Sequence, residues 1–554
     1  MKQKVIAALF CMSLMAGMLA GCGSGGDVPQ ADGSAQEDSR EIGAENSGGA
    51  EESAFNEAGY PIVKEPLTLK VMFAIRDTDA LIAPEDMPVV QELEEKTGIH
   101  LEWEVIKSAD WSTKLNLMWA SGEYPDIILS PSGGVEVEDF GVDQKLIIPL
   151  EDLIDQYMPI YKERIAGEDN NPVTGLTASD GHTYSIGYLF AQNINTEQHF
   201  FINQEWLDNL GMKMPETLDE LTDTLRAFKT QDPNGNGEAD EIPLEMGLNA
   251  GGLGLRWFLP MFGVPLDGNR WIYIDDNKKV QFAPVQEGFR KCMEWLSLCY
   301  AEGLTDPEII SQDKNTVDTK LKGDNIGMFV SWRLKAMGYE NGVEKSAALL
   351  IPTPPEGTKA CLYRYLEQAR PGAYITNANK HPAESARLLD AMLETETMFS
   401  LYYGGEGTGD QGSGWEYDED GKINVTNDNS MDVKNYLDVN ALFFAPGNYI
   451  YSTYNLPEQR IEKIEYCQIY EEAGIIQKYS NAYLGMVPLT SEQRQDATLK
   501  ATDIDNAVWE NVAAFVSKGI TDESWNAFVK LFEDMNVDEY VQMYQEALEK
   551  LDIE

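Results

Sequence analysis

Oxygen-bearing side chains alternate along the stretch of residues 231–244, which reads QDPNGNGEADEIPL. They fill positions 1, 3, 5, 7 and 9 of a calcium-loop spacing: Asp232, Asn234, Asn236, Glu238 and Asp240. Gly237 lies at position 6, where an EF-hand loop turns sharply. Position 12 is Pro243 rather than Glu, and the residues that follow do not resemble a second helix. Glu241 could instead supply the bidentate carboxylate, so the spacing predicts a calcium site that follows a single helix.

An Asn-Gly turn is the alternative interpretation of this loop. In such a turn the side chains only bond the backbone and hold no ion. We favour calcium, because carboxylates packed so closely repel one another unless a cation lies between them. The helix that must position the loop is predicted over residues 215–229, where PETLDELTDTLRAFK has helical periodicity.

Other kinds of chemistry find little support. Lys and Arg total 42 against 93 Asp and Glu, so the net charge is −51 and nucleic acid is excluded as a partner. Paired carboxylates occur by chance among so many acids and do not indicate a glycosidase. The sequence has no GxSxG, HExxH, CxxC or Walker motif, and its four histidines are scattered. We therefore predict no catalytic residues.

The amino terminus predicts secretion. Residues 1–21 have the pattern of a signal peptide, with Lys2 and Lys4 before an uncharged apolar run. A transmembrane anchor of similar length is the alternative. The residues before Cys22 resemble a bacterial lipobox, in which the cysteine receives a diacylglyceryl group and becomes the mature amino terminus. Residues 22–59 are rich in Gly, Ser, Ala and acid, which predicts a lipidated, acidic, disordered tether.

The body of the chain has an α/β pattern. LTLKVMFAI, residues 67–75, alternates like a strand, and helix–strand units follow with stops at Gly98 and Gly122. This order predicts a mainly parallel sheet. The strand that ends near Leu129 runs into the loop of residues 130–134, which contains Ser130 and Ser132. Ligands bind at the carboxyl ends of such strands, so this loop is either a ligand contact or a plain connection.

The chain resembles bacterial extracellular solute-binding proteins, in particular the carbohydrate-binding group that serves ABC importers. The marks of the resemblance are the lipobox, the acidic tether, the first strand, ASGEYPDII, and the segments 200–244, 280–308, 322–332 and 370–394. They follow one another along most of the mature chain.

The resemblance implies a two-lobed, periplasmic-binding-protein-like α/β fold of type II with a hinge. Lobe one is expected over residues 60–195 and 352–400, and lobe two over residues 196–351 and 401–554. The implied function is capture of an oligosaccharide by a monomer that is lipid-anchored at the outer face of the cytoplasmic membrane. Transmembrane ABC permease subunits are the implied partners. A surface glycan-processing enzyme, or a glycan sensor or adhesion protein, is the alternative.

The resemblance also assigns calcium ligands, with Glu238 binding through its backbone carbonyl. The side-chain ligands that it implies are Asp232, Asn234, Asn236, Asp240 and Glu241. Calcium would stabilise lobe two rather than contact the transported sugar.

Sugar recognition calls for flat aromatic surfaces with polar side chains at their edges. Trp332 is the first candidate, because it follows the strand IGMFVS, where similar proteins place a stacking tryptophan. Core packing is the alternative for every tryptophan in a chain that has eleven. The low basic content favours neutral sugars, although Arg256 or Arg333 could bind a carboxylate. The further candidates are Arg256, Trp257, Tyr374, Tyr403, Glu406 and Trp415.

Overall fold

The computed structural model describes residues 55–75, 83–130, 135–168, 171–191, 194–266, 270–335, 337–406, 414–425, 443–551 and 553. The strands are β1 (Leu67–Ile75), β2 (Ile99–Lys107), β3 (Ile127–Leu129), β4 (Ile186–Phe190), β5 (His199–Asn203), β6 (Ile242–Leu244), β7 (Ile272–Ile274), β8 (Val280–Phe282), β9 (Ile326–Ser331), β10 (Ala347–Leu350), β11 (Arg370–Ile375), β12 (Trp415–Tyr417), β13 (Ile423–Val425) and β14 (Phe444–Ala445).

The α-helices of the described residues follow here in chain order. They are α1 (Pro88–Thr97), α2 (Trp111–Ser121), α3 (Glu151–Tyr157), α4 (Pro159–Ala166), α5 (Gln204–Leu210), α6 (Leu218–Thr230), α7 (Leu255–Phe258), α8 (Glu287–Ala301), α9 (Lys314–Leu321), α10 (Pro382–Ala391), α11 (Thr395–Tyr403), α12 (Gly447–Thr453), α13 (Glu458–Glu472), α14 (Tyr483–Met486), α15 (Ser491–Lys518), α16 (Asp522–Asp534) and α17 (Val537–Leu548).

The first sheet has six strands in the order β14-β4-β11-β3-β1-β2. β1 pairs in parallel with both β2 and β3, as the helix–strand alternation predicts. Gly98 and Gly122 end α1 and α2 in the left-handed region, with φ of 76° and 75°, which confirms the two predicted stops. β11 runs antiparallel to β3 and β4, so the sheet is mixed rather than purely parallel.

The second sheet has four strands in the order β10-β5-β9-β6. β5 is antiparallel to β9, and β6 is parallel to β9. The largest apolar core lies against this sheet and takes in side chains from β7, β8, α8 and the three carboxy-terminal helices. Residues 271–282 form the β7–β8 hairpin, and α16 and α17 form a pair of helices at the carboxy terminus.

The chain passes between the two sheets three times, in residues 191–198, 351–369 and 454–457. The predicted lobe boundary at residue 400 differs from the structure, because β14 pairs in parallel with β4 of the first sheet. The β12–β13 hairpin also packs into the core of that sheet through Trp415 and Ile423. Residues 414–425 and 443–454 therefore belong with lobe one rather than lobe two.

The folded body begins earlier than the predicted tether allows. Phe55 pairs with Val63, and Arg387 donates hydrogen bonds of 2.9 Å to the carbonyl oxygens of Asn56 and Gly59. Residues 55–59 are thus part of lobe one. The predicted signal peptide, Cys22 and residues 22–54 of the tether lie outside the described residues. Within the described part of the chain, no helix has both the length and the apolar character needed to cross a membrane.

Candidate ligand-binding site

Trp332 lies at the carboxyl end of β9 in the second sheet. Its side chain is 40% exposed, which is unusual beside a strand whose six residues are all buried. His199 holds the backbone here, because its Nδ1 lies 3.0 Å from the Trp332 carbonyl oxygen. Burial lowers the pKa of His199 to about 3, assisted by nearby Lys463. The imidazole is therefore neutral and donates from Nδ1 to this carbonyl.

Two cations lie over the Trp332 ring. The Arg333 guanidinium carbon is 5.1 Å from the ring centroid, and Lys463 Nζ from α13 is 5.5 Å from it. Lys463 is only 3% exposed. Burial lowers the pKa of Lys463 to about 8; Glu197 opposes this shift, whereas Arg333 and Arg460 add to it. These contacts orient an exposed aromatic surface with polar edges, the arrangement that a sugar ring needs.

The first crossing segment brings further polar groups to this region. Gln198 and Trp332 each lie one residue beyond the terminal pair of β5 and β9, His199 and Ser331. Gln198 is fully buried, and neither of its amide atoms has a hydrogen-bond partner among the described residues. Buried amides of this kind need a partner. Glu197, its neighbour, accepts a hydrogen bond of 2.9 Å from the Tyr363 hydroxyl of the second crossing.

Four of the predicted aromatic contacts lie in or against the core. Tyr374 is fully buried, Tyr403 is 2% exposed, and Trp415 is 1% exposed and donates from Nε1 to Ser400 Oγ. Trp257 is partly buried against the core of lobe two. The core alternative therefore describes Tyr374, Tyr403 and Trp415, since a buried ring has no open face for a sugar.

The remaining predicted contacts are dispersed. Ser130 is buried at the end of β3, where its backbone N–H donates to the Gly372 carbonyl oxygen over 2.8 Å. Glu406 is exposed, and its backbone forms an isolated β-bridge with Trp415. Ser132 lies outside the described residues. The structure does not bring Ser130 or Glu406 next to Trp332 through any contact that it describes.

Arg256 belongs to a cluster of polar and aromatic side chains around Asp505 of α15. Its Nη2 donates to Asp505 Oδ1 over 2.6 Å, and the same oxygen accepts from the indole nitrogens of Trp271 and Trp509. The guanidinium also lies over both indole rings, 4.6 Å and 5.2 Å from their centroids. Burial lowers the pKa of Arg256, and Asp505 opposes that shift. Arg256 thus connects the amino-terminal end of α7 to α15 instead of lying open to a ligand.

The calcium-motif loop follows α6, as the sequence predicts, and runs into β6 rather than a second helix. Its side chains bond its own backbone, because Gly237 N–H donates to Asp232 Oδ2 and Glu238 N–H donates to Asn236 Oδ1. Gly235 and Gly237 have φ of 69° and 78°, a region that glycine tolerates. This pattern is expected from a calcium loop and from a plain Asn-Gly turn alike.

Glu241 distinguishes the two interpretations of the loop. Its Oε1 is buried with no hydrogen-bond partner in the described chain, and burial raises its pKa, with Asp240 and Asp232 adding to the shift. A cation would relieve both effects, so the donor set of carboxylates, amides and a carbonyl fits calcium. Among the described residues, however, no three His, Cys, Asp or Glu side chains are already gathered as a metal site.

Glu245, just beyond β6, is a buried carboxylate that no sequence motif indicates. It is 1% exposed, and burial raises its pKa to about 8; Asp306 adds to this shift, whereas Lys320 and Gln312 oppose it. Because the folded-state pKa is raised, the folded state holds this proton more tightly. The contribution of this bound proton to the unfolding free energy is complete below about pH 4.5 and is lost as the pH rises towards 8.

We predict that Glu245→Gln removes this pH dependence. Between pH 5 and 8, the unfolding free energy of the parent should fall relative to that of the variant by up to about 1.4 kcal/mol per pH unit. Urea denaturation at several pH values measures the slope. Glu308→Gln is the matched control, because Glu308 pairs with Lys320, which also acts electrostatically on Glu245, but Glu308 is 63% exposed. Equal slopes for the parent and Glu245→Gln would contradict the assignment of a buried proton to Glu245.

A sequence profile decides the family. The profile described as bacterial extracellular solute-binding protein matches residues 80–399, more than half of the chain. The chain belongs to this family. It is a family of extracellular binding proteins, so this solute-binding protein is not an enzyme, and the glycan-processing alternative is set aside.

Individual relatives agree with this assignment. FusA of Streptococcus pneumoniae serotype 4, a fructooligosaccharide ABC transporter substrate-binding protein, is 26% identical over 521 residues, which are 91% of this chain and 94% of FusA. Lipoprotein LipO of Bacillus subtilis is 25% identical over 289 residues, which are 50% of this chain and 53% of LipO.

Solved structures confirm the two-lobed α/β fold of the solute-binding protein. FusA in complex with kestose matches with a TM-score of 0.73 and 25% identity, over 87% of this chain and 99% of FusA. An EF-hand mutant of FusA in complex with fructo-nystose matches with a TM-score of 0.72, at the same identity and coverage. A solute-binding protein of Bifidobacterium longum subsp. infantis has a TM-score of 0.76 at 21% identity, over 87% of this chain and 98% of that one.

Proposed function

We propose that this protein captures an oligosaccharide between its two lobes and delivers it to the permease subunits of an ABC transporter. The observation that carries the proposal is the exposed Trp332 ring at the carboxyl end of β9, next to the first crossing segment. The binding of kestose and fructo-nystose by FusA supports the ligand class. Delivery to a permease and a monomeric state are inferred from the family relationship alone.

Closure of the lobes would follow from the crossings. Tyr365 N–H of the second crossing donates to the Asn195 carbonyl oxygen of the first over 2.8 Å, and Asn195 Nδ2 donates to Glu471 of α13. These bonds tie two connecting segments to one helix of lobe two, so that they would move together as a hinge. A ligand drives closure only if it contacts the closed form better than the open form.

We propose a lipid anchor at Cys22, which would hold the protein at the outer face of the cytoplasmic membrane. The lipobox pattern supports this proposal, and so does the relation to a protein named lipoprotein LipO. Two acyl chains suffice for stable anchoring, because each buried methylene contributes about 0.8 kcal/mol. Metabolic labelling with radioactive palmitate should label the parent and fail to label Cys22→Ser. Equal labelling of both would contradict the assignment.

We also propose that the loop of residues 232–241 binds a structural calcium ion. The orphaned Glu241 oxygen supports the proposal, as does the presence of an EF-hand in FusA. The ligand set would be the one given above: Asp232, Asn234, Asn236, Asp240 and Glu241 through side chains and Glu238 through its carbonyl. The ion would have a structural role only, because it would join the end of α6 to β6.

Asp232→Ala should abolish stabilisation by calcium. For the parent, calcium at 100 times its dissociation constant should add about 2.7 kcal/mol to the unfolding free energy. The variant should gain nothing from calcium, and in chelator it should be less stable than the parent only by the loss of the hydrogen bond that Asp232 Oδ2 accepts from Gly237 N–H. Thermal unfolding with and without calcium measures both effects.

Asp275→Ala is the matched control, because Asp275 likewise accepts backbone N–H groups within a turn: its Oδ1 accepts two of them in the β7–β8 turn. This variant should lose stability by the same amount with and without calcium. Loss of sugar binding by folded Asp232→Ala at saturating calcium would contradict the separation of the calcium loop from the ligand site.

A thermal-shift screen tests the proposed function. Purified protein is heated with neutral and with uronic oligosaccharides, with and without calcium, and the sugars are then analysed by chromatography. At least one oligosaccharide should raise the melting temperature, because binding adds RT ln(1 + [L]/Kd) to the unfolding free energy, and should be recovered intact. If no oligosaccharide raises the melting temperature, the carbohydrate ligand is wrong.

A further inference from the structure

The backbone carbonyls of Trp332 and Arg333 lie just beyond the end of the β5–β9 ladder. His199 and Ser331 form the terminal pair of that ladder, and both residues are fully buried. His199 Nδ1–H donates to the Trp332 carbonyl oxygen over 3.0 Å. Ser331 Oγ donates to the Arg333 carbonyl oxygen over 2.9 Å. Each carbonyl thus has a side chain of the last ladder pair as its hydrogen-bond partner, which a backbone acceptor requires when the strand ends.

The segment that carries the indole ring is short and is anchored at both ends. Ser331 precedes it as the last residue of β9. Leu334, which is 3% exposed, ends it and packs in an apolar core with Phe201 and Phe329. Trp332 lies between these anchors and is 40% exposed. The direction of its ring therefore depends on the backbone of only two residues, 332 and 333, and the carbonyls of both are held.

The His199 imidazole is itself held by α13. Its ring stacks on the Tyr470 ring, with centroids 6.0 Å apart and planes at 18°, and its centroid is 5.3 Å from that of Tyr466. Because Nδ1 carries the proton that is donated to Trp332, Nε2 is the unprotonated nitrogen of the neutral ring. This nitrogen faces the Cys467 thiol, with Sγ 4.0 Å away. The imidazole therefore cannot rotate away from the Trp332 carbonyl without losing its contacts with α13.

Both elements that hold this imidazole enter lobe two directly from a crossing segment. His199 begins β5 after the first crossing, and α13 follows the third crossing of residues 454–457. A sugar that stacks on a mobile indole must first order the ring and its backbone, and this cost weakens binding. A ring that is fixed in advance, on the rigid end of a sheet, avoids the cost.

We propose that His199 is a positioning residue of the ligand site, which fixes the Trp332 backbone and so presents the indole ring in its ligand-binding orientation before a sugar arrives. Ser331 assists by holding the next carbonyl along the chain. This inference rests on the proposed function and adds to it a residue that does not touch the sugar. His199 is fully buried, so its effect on binding passes through Trp332.

Calorimetric titration of the full-length protein tests this role. The probes are kestose, fructo-nystose, maltotriose and trigalacturonate, and the variants are titrated with the probe that the parent binds most tightly. His199→Leu removes the Nδ1–H donor and should raise the dissociation constant about 10-fold, because the ring is no longer held in advance. His199→Asn keeps an N–H donor near the position of Nδ1 and should recover most of this loss. Ser331→Ala should raise the dissociation constant about 3-fold, and it tests the same role if His199→Leu does not fold.

A double-mutant cycle shows whether His199 acts through the indole. In the Trp332→Ala background, His199→Leu should not change the dissociation constant further, because the ring that it positions is gone. Tyr470→Phe is the matched control. It removes a buried hydroxyl that donates to the Leu350 carbonyl oxygen and accepts from Phe200 N–H, and it leaves an aromatic ring against His199. This variant should lose stability and keep the affinity of the parent.

Fluorine NMR of protein labelled with 5-fluorotryptophan tests the positioning of the ring without a ligand. The Trp332 resonance is identified by its absence from the spectrum of Trp332→Phe. It should be a single line of similar width in the parent, in His199→Asn and in Tyr470→Phe. In His199→Leu it should be broadened or split, because the ring then samples more than one orientation.

The outcomes separate this inference from the proposed function. The absence of binding by every probe would overturn oligosaccharide capture, and the fluorine spectra would still decide whether His199 holds the indole. An unchanged Trp332 resonance in His199→Leu would overturn the positioning role at any affinity. A further loss of affinity from His199→Leu in the Trp332→Ala background would also overturn it, because His199 would then act on binding by another route.

Discussion

Trp332→Ala is expected to raise the dissociation constant of the bound oligosaccharide roughly 10- to 100-fold, equivalent to about 1.4–2.7 kcal/mol. The indole offers the one large exposed aromatic surface at the carboxyl end of β9 that the described chain shows, and its loss removes both area and stacking. Because the side chain is 40% exposed, the melting temperature of the unliganded protein should change little. Titration calorimetry with the sugar that gives the largest thermal shift measures the effect.

Tyr417→Ala is the control for this experiment. Tyr417 is 41% exposed on the β12–β13 hairpin, so the variant loses a comparable aromatic surface outside the proposed site. Its sugar affinity should equal that of the parent. Trp332→Phe should retain part of the affinity, because a smaller ring can still stack. An unchanged affinity in Trp332→Ala would remove Trp332 from the ligand site.

Asp505→Ala should cause a large loss of stability, roughly 2–4 kcal/mol. Asp505 Oδ1 accepts from Arg256 and from two indole nitrogens at 2.6–3.1 Å. Its removal leaves the Arg256 charge and two N–H donors without this acceptor in a site where the Arg256 side chain is only 13% exposed. The side chain of Asp505 is itself 34% exposed, and this access to water keeps the expected loss below that of a fully buried pair. Urea denaturation measures the change.

Two further variants identify the cause. Asp503→Ala removes an exposed acid from the same helix, α15, and should leave stability nearly unchanged. Adding Arg256→Met to Asp505→Ala should recover part of the loss, because the buried cation is then gone. If Asp505→Ala instead lowered sugar affinity and left stability intact, Arg256 would belong to the ligand site after all.

Local sequence signals predicted the elements of the fold well. The strand at residues 67–75, the stops at Gly98 and Gly122, and the helix before the calcium-motif loop follow from alternation, glycine and capping. The lobe boundary could not be predicted from such local signals. β14 is two residues long and belongs to the first sheet only through its pairing with β4, more than 250 positions earlier. No local pattern encodes such a pairing.

The candidate site was less predictable than the fold. Trp332 could be singled out because it directly follows a strand, and the structure leaves its ring exposed. Arg256 looked available in the sequence, yet its partner Asp505 lies 249 positions further on. Lys463 and Gln198 were missed, since only tertiary packing brings α13 and the first crossing to Trp332. The spacing of Arg460 and Lys463 within an acidic helix could have indicated Lys463, whereas no sequence signal indicated Gln198.

The most direct test is a crystal structure of the protein with the oligosaccharide that raises its melting temperature most. We predict an intact sugar with one ring packed against Trp332 and polar groups within hydrogen-bonding distance of Gln198 or the neighbouring cations. An oligosaccharide bound elsewhere, with the Trp332 ring still facing solvent, would contradict the proposed site.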